Sequence, residues 1–241
     1  MSKNKYRVYE NDQELGKSLA EQIKCISDKS IAKNDQFMIG FSGGSLSKIL
    51  CDYLPLIKTD WSKWKIFFCD ERYVSENDPD NNYSFYKLHL LDKVPLKIGL
   101  NIFPINTYLP IDECAQEYAN QIKNVTGQTL QFDLLLLGIG PDGHTCSLFP
   151  NHPQLNEKQL IVTSIINSPK PPPKRITMTF PLINNSCNIF VITTGDKKAE
   201  IIKKIFSDDQ TEIIKYPIEM VESKNTSNIW FLDKVAASSI K

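Results

Sequence analysis

An acid and an imidazole lie two residues apart in one loop, as Asp142 and His144 of the segment GPDGH. The loop follows residues 134–137, the strongest apolar run in the sequence. A short apolar run bounded by glycine and proline is typical of a buried central strand, and ligands bind at the carboxyl ends of such strands. Imidazole titrates near pH ~6.5, which suits proton transfer at cellular pH. We therefore predict that this loop is the active site, with His144 as its candidate for proton transfer.

Other interpretations of this loop fit less well. A Ser/His/Asp hydrolase needs a GxSxG elbow, which the sequence lacks, so an activated water is the expected nucleophile. Residues 138–143 match GxGxxG, but Pro150 and Pro153 interrupt the helix that should follow and no acid ends the next apolar run. Dinucleotide binding is therefore not expected. Isolated histidines are more often structural, and that alternative stays open for His144.

A second candidate is the turn containing Gly43, Gly44 and Ser45, which lies between an apolar run and a helical pattern. Backbone N–H groups and the helix dipole favour an anion such as phosphate at this place, and glycines let the backbone approach it closely. The turn lacks the lysine of a P-loop. An ordinary tight turn explains it equally well.

Three cations also lie next to predicted strands. Arg72 follows the second strand, Arg175 opens a strand after a proline-rich segment, and Lys198 lies in the first turn of a helix. Arginine can bind an anion with two parallel hydrogen bonds, and a lysine at a helix N-terminus is unfavourable unless an anion is near. Each of the three has the alternative of a solvated or ion-paired surface residue.

Strands and helices alternate along the chain. Apolar runs predict strands at 37–41, 65–69, 102–103, 132–138, 160–165, 175–180, 188–194 and 228–232, and apolar residues at helical spacing predict helices over 12–27, 46–53, 83–91, 112–124 and from 195 onward. This order predicts an α/β fold with a doubly wound, mostly parallel, Rossmann-like sheet and helices on both faces, as one domain over 1–241. The proline-rich residues 168–174 are interpreted as a stiff connector, with an SH3-type ligand as the alternative.

Composition narrows the possible partners. Lys+Arg and Asp+Glu both number 28, so neither nucleic acid nor an anionic membrane is an expected partner. Hydrophobic residues make up 41% of the chain, so we expect a well-buried core. No apolar run approaches the ~20 residues of a membrane span, and the first residues are polar, so a cytoplasmic protein is expected. The six cysteines form no CxxC pair, and we expect reduced thiols without a metal.

Several segments together resemble the 6-phosphogluconolactonase family, within a wider group that includes glucosamine-6-phosphate deaminase. They are FSGGS (41–45), FFCDERYV (67–74), DNNYS (80–84), LLLGIGPDGHTCSLFP (135–150), RITMTFPLIN (175–184) and TTGDKKAE (193–200). The deaminases resemble the central loop only up to Gly-His, where an FNEP-like segment follows, and they usually have Asp-Glu-Tyr where this chain has Asp-Glu-Arg. Both differences favour the lactonase branch.

The resemblance implies hydrolysis of 6-phospho-D-glucono-1,5-lactone to 6-phosphogluconate without a metal or organic cofactor. It implies that His144 is the general base and that Asp142 orients the imidazole or binds substrate hydroxyls. Arg72 either joins the phosphate site or stabilises charge at the carbonyl. The residues implied for phosphate binding are Gly43, Gly44, Ser45, Arg175 and Lys198. A monomer whose only partner is the sugar-phosphate lactone is expected.

Two rival functions stay open at the sequence level. One is a sugar-phosphate deaminase or isomerase on the same scaffold, which would release ammonia from glucosamine 6-phosphate. The other is a non-catalytic module that binds phosphogluconate without accelerating lactone opening. The presence of both Asp142 and His144 speaks against the second rival.

Overall fold

The computed structural model describes residues 5–96, 101–207, 216–223 and 228–240. Within these ranges the strands are β1 (Lys5–Tyr9), β2 (Phe37–Phe41), β3 (Trp64–Phe68), β4 (Asp70–Arg72), β5 (Ile102–Phe103), β6 (Leu134–Gly138), β7 (Val162–Ile165), β8 (Arg175–Met178), β9 (Asn188–Thr193) and β10 (Ile229–Asp233). The helices are α1 (Asp12–Asn34), α2 (Ser45–Tyr53), α3 (Asn82–His89), α4 (Ile111–Thr126), α5 (Phe180–Ile183) and α6 (Ala199–Phe206).

A parallel sheet of seven strands forms the centre of the fold, in the order β1-β10-β9-β6-β2-β3-β5. The chain builds outward from β2 through β3 to β5 and then returns to β6 on the other side of β2. The strand order therefore reverses between β2 and β6, and ligands bind at such a switch point in doubly wound sheets. The predicted doubly wound, mostly parallel sheet is confirmed.

The central strand β6 is apolar along its length because both of its faces are covered. Leu134 and Leu136 pack in one core with α1, α2 and α3, whereas Leu135 and Leu137 pack in a second core with α4 and α6. All four side chains are fully buried. Alternate residues of a strand point to opposite faces, so a continuous apolar run is what a strand between two helical layers requires.

One edge of the main sheet and the end of helix α1 differ from the sequence-based expectation. The run 228–232 was expected to close the sheet, but β1 lies outside β10 and forms the edge. β1 is short and largely exposed, so its sequence KYRVY carries none of the apolar signal of a buried strand. Helix α1 also continues to Asn34, beyond the predicted end at 27. The apolar pattern did not indicate these last turns, because the buried face there contains Ser27 and Ser30 instead of apolar residues.

A second sheet of three antiparallel strands, in the order β4-β8-β7, was not predicted. The runs 160–165 and 175–180 belong to it rather than to the main sheet. Arg72 lies in β4 of this sheet, so the segment that follows β3 is a strand and not a simple loop. The sheet packs by Val162, Ile176 and Met178 against the core on the α4 side.

Within the described residues, no helix combines the length and the apolar character that crossing a membrane would require.

Candidate active site

The loops after β2 and β6 meet at the switch point of the sheet. A Cβ atom on Gly138, the last residue of β6, would lie 4.0 Å from the carbonyl oxygen of Gly43. The hydroxyl of Thr145 donates to the Gly138 carbonyl at 2.9 Å, which ties the loop carrying His144 to the end of its strand. The glycine turn and the Asp142–His144 loop therefore lie side by side at the switch point, where a doubly wound sheet is expected to form its ligand-binding crevice.

The predicted acid and imidazole contact each other directly. Nδ1 of His144 lies 2.5 Å from Oδ1 of Asp142. The loop is folded back on itself, because the backbone N–H of Gly140 donates to the His144 carbonyl at 2.8 Å and that of Gly143 donates to the Gly140 carbonyl at 2.9 Å. The His144 side chain is 18% exposed, so it is accessible from the crevice rather than enclosed in the core.

The short contact defines which ring nitrogen can act as a base. An N···O separation this short requires a hydrogen between the two atoms, so we infer that Nδ1 of His144 carries it and donates to Asp142. The lone pair of Nε2 is then free to accept a proton. Burial alone would raise the pKa of Asp142, but the hydrogen bond and charge of His144, together with those of Lys170, hold it well below its usual range. Asp142 is therefore a carboxylate that can hold an imidazolium.

The sequence-based reasoning missed Lys170. Its Nζ lies 3.1 Å from Oδ1 of Asp142 and 3.2 Å from Nδ1 of His144. Lys170 belongs to the proline-rich residues 168–174, which we call the strap and which the sequence indicated as a stiff connector, with an SH3-type ligand as the alternative. A lysine in a rigid segment directly before a strand was the only signal, and it is too weak to predict a contact with Asp142.

Arg175 follows the strap and holds it in place. Its side chain is buried, Nε donates to the Pro172 carbonyl at 3.0 Å, and Nη2 donates to the carbonyls of Lys170 and Pro171 at 3.1 and 2.9 Å. Nη1 lies 3.3 Å from the hydroxyl of Ser147. The phosphate contact expected for Arg175 stays a prediction, and these bonds give the residue a second role as the anchor of the strap.

Arg72 lies directly opposite Arg175 in the register of β4 and β8. Like charges at opposed positions of neighbouring strands are unfavourable unless an anion compensates them. Nη1 of Arg72 donates to the Asp80 carbonyl at 2.8 Å, whereas its Nε is buried and has no hydrogen-bond partner among the described residues. Burial and then the charge of Arg72 lower the pKa of Arg175, against the opposing charge of Asp70. This pair of arginines is suited to an anionic ligand.

Glu71 is a second residue that the sequence did not indicate. Its carboxyl group is buried and accepts backbone N–H groups of Arg72, Asn82 and Tyr83, each at 2.8 Å. Burial raises the pKa of Glu71 to about 7, and the three hydrogen bonds only partly offset this effect. Glu71 thus joins the strand that carries Arg72 to the first turn of α3.

The N-terminus of α2 begins at the glycine turn. Gly44 is the N-cap residue with a φ of 77°, no side chain among the described residues caps the helix, and its first turn contains no acid. Gly44 and Ser45 are exposed. Gly43 has no room for a side chain, since a Cβ atom would lie 2.1 Å from Oδ1 of Asn82. Uncapped N–H groups at a helix start can bind a phosphate.

Lys198 lies on the side of the crevice formed by the loop after β9. Its burial, followed by the positive charge of Lys170, lowers its pKa, while the charge of Asp142 opposes that effect. The structure therefore brings Lys198 into the electrostatic neighbourhood of Asp142 and Lys170. No group of three or more His, Cys, Asp or Glu side chains placed to hold a metal ion occurs in the described part of the chain.

A family model described as glucosamine-6-phosphate isomerases/6-phosphogluconolactonase matches residues 10–230. The chain belongs to this family. The 6-phosphogluconolactonase of Rattus norvegicus is 39% identical over 238 residues, which cover 95% of this chain and 91% of that protein. A probable 6-phosphogluconolactonase of Drosophila melanogaster is 43% identical over 199 residues, covering 82% and 81% of the two chains.

Solved structures in the family have the same fold. A 6-phosphogluconolactonase from Thermotoga maritima matches with a TM-score of 0.84 at 27% identity, covering 96% of this chain and 100% of that one. One from Trypanosoma cruzi matches with a TM-score of 0.84 at 25% identity, covering 99% and 97%. The chain is therefore an enzyme that groups with the lactonase branch of the family.

Proposed function

We propose that this chain hydrolyses 6-phospho-D-glucono-1,5-lactone to 6-phospho-D-gluconate. The observation that carries the proposal is the Asp142–His144 contact of 2.5 Å at the switch point of the sheet, with cations and uncapped helix N–H groups around the same crevice. The relatives named 6-phosphogluconolactonase support the same substrate.

In the proposed reaction His144 is the general base. Nε2 takes a proton from a water molecule while the water oxygen forms a bond to the lactone carbonyl carbon. The resulting tetrahedral centre collapses, the bond from that carbon to the ring oxygen breaks, and the imidazolium returns its proton to the departing oxygen. Asp142 holds Nδ1–H throughout and stabilises the positive ring between the two proton transfers.

The phosphate group of the substrate is assigned to the other side of the crevice. The N–H groups after Gly43 and Gly44, the hydroxyl of Ser45 and the side chain of Arg72 would bind its oxygens, with Lys198 and Arg175 adding positive charge. Support for this assignment comes from the uncapped start of α2 and the unpaired Nε of Arg72. No cofactor takes part in this scheme. The cytoplasmic location and the monomeric state stay predictions.

The test is acid release from freshly made phosphogluconolactone with and without the protein, with the spontaneous rate subtracted. We expect rapid acid release and no ammonia from glucosamine 6-phosphate. Ammonia release without lactone hydrolysis would assign the chain to the deaminases and contradict the proposal. Binding of phosphogluconate without faster lactone opening would identify a binding module instead.

A further inference from the structure

We propose that Lys170 is a positioning residue of this active site, which acts on His144 by placing a fixed positive charge beside the Asp142–His144 pair. The proposal rests on the proposed function and adds to it a residue that acts through His144. It also gives the strap a function, because the strap is what holds Lys170 in place.

Hydrogen bonds hold the strap in one conformation. The backbone N–H of Ser168 donates to the Pro173 carbonyl at 3.0 Å and closes the strap into a loop. Inside it the Ser168 hydroxyl donates to the Lys170 carbonyl at 2.8 Å and accepts from the Lys170 N–H at 3.2 Å. Arg175 binds three successive carbonyls of the strap from its buried position. The backbone of Lys170 is therefore fixed from both sides.

The geometry allows Lys170 only one partner in the pair. Because Nδ1 of His144 donates its hydrogen to Asp142, it has no lone pair to accept a hydrogen bond from Lys170. The ammonium group therefore bonds to Oδ1 of Asp142 at 3.1 Å and lies 3.2 Å from Nδ1 only as a neighbouring positive charge. A positive charge at this distance disfavours the imidazolium form, whereas Asp142 favours it. The two effects oppose each other on the same ring.

Other charged groups near the pair do not replace Lys170. The guanidinium of Arg175 lies over the Phe149 ring, 5.6 Å from its centre, and that ring lies 4.6 Å from the His144 ring. Phe149 therefore separates Arg175 from the imidazole, and His152 also packs on Phe149. Lys198, in the loop after β9, is affected by the charges of Lys170 and Asp142, but within the described residues it forms no ion pair with Asp142. The aromatic ring of Tyr216 packs on Gly143.

The decisive comparison is between Lys170→Met and Lys174→Met. Lys174 belongs to the same strap, but its side chain is exposed. We expect Lys170→Met to move the acid limb of kcat up by roughly one pH unit, so that activity falls several-fold more at pH 6 than at pH 8.5. KM should change little, Lys174→Met should match the wild type, and Lys170→Arg should restore the original acid limb.

A second measurement does not depend on activity. The ring proton signals of His144, assigned with a His144→Asn variant, can be titrated by NMR in the wild type and in Lys170→Met. We expect the midpoint for His144 to rise by roughly one pH unit in the variant. Equal midpoints in the two proteins would overturn the proposal, and so would an effect of Lys170→Met confined to KM, which would make Lys170 a substrate contact. A wild type inactive on the lactone would reject the proposed function, and the NMR comparison would still decide the role of Lys170.

Discussion

Gly140 and His144 are so close that a Cβ atom at residue 140 would lie 1.9 Å from Nδ1 of the imidazole. The same atom would lie 2.5 Å from Oδ1 of Asp142. The second glycine of the GxGxxG-like segment is therefore required by the side chains that fold over it, and not by a nucleotide phosphate. This relationship explains why the segment resembles a dinucleotide motif without the helix that such a motif needs.

Gly140→Ala should displace the imidazole and lower kcat. We expect a fall of about 10²-fold or more, because a base moved out of reach loses its contribution to the reaction. Gly138→Ala is the matched control, since a Cβ atom there would meet only the Gly43 carbonyl at 4.0 Å. Steady-state kinetics of both variants checks the prediction, and equal activity of the two would refute the packing argument.

Arg72→Met should weaken binding of the phosphorylated lactone specifically. Hydrogen bonds to charged groups contribute about 1.5–3 kcal/mol, so we expect KM to rise about 10- to 100-fold. The unphosphorylated D-glucono-1,5-lactone should show no such change, because it lacks the group that Arg72 binds. Arg7→Met, at the exposed edge strand β1, serves as the arginine control. A loss of the same size on both lactones would place Arg72 at the carbonyl rather than at the phosphate.

Glu71 should make stability depend on pH in a defined direction. Its pKa is raised to about 7 in the folded protein from an ordinary value of 4.5, so folding takes up a proton between these values. The stability from this proton is fully present below pH 4.5 and is lost as the pH rises through about 7. One pKa unit corresponds to about 1.36 kcal/mol, so the shift from 4.5 to about 7 corresponds to about 3 kcal/mol of the free energy of unfolding.

Urea unfolding of the wild type and of Glu71→Gln at pH 5 and pH 8 measures this effect. The glutamine cannot ionise, so the free energy of unfolding of the variant should rise relative to that of the wild type as the pH increases. Glu76→Gln removes an exposed acid from the loop between β4 and α3 and should give the same difference at both pH values. A difference for Glu71→Gln that also stays constant with pH would contradict the raised pKa.

The sequence allowed the main sheet to be predicted, and with it the position of the Asp142–His144 loop at the end of β6, because both depend on local patterns. The catalytic role of this loop stays a prediction. Residues 134–137 are apolar on both faces, and the loop after them breaks sharply at Gly138. Arg175 shows where such reasoning ends. Its type and place suggested an anion site, but its bonds to the strap arise from tertiary contacts that no spacing encodes. Lys170 and Glu71 were missed for the same reason.

The edge strand and the small sheet also lay beyond local patterns. β1 pairs with β10 more than 200 positions away along the chain, by parallel backbone bonds that exposed polar residues can make as well as apolar ones. β4 has only three residues, and its register with β8 depends on how the main sheet directs the chain after β3. Long-range pairing of this kind is set by topology and not by composition.

The central claim is that His144 removes a proton from the attacking water. The most direct measurement is kcat for acid release from 6-phospho-D-glucono-1,5-lactone by His144→Asn, by the exposed-histidine control His89→Asn and by the wild type, with spontaneous opening subtracted. The account predicts that kcat of His144→Asn falls by about 10²- to 10⁴-fold with little change in KM, while His89→Asn keeps wild-type activity. Near-wild-type kcat in His144→Asn would contradict it.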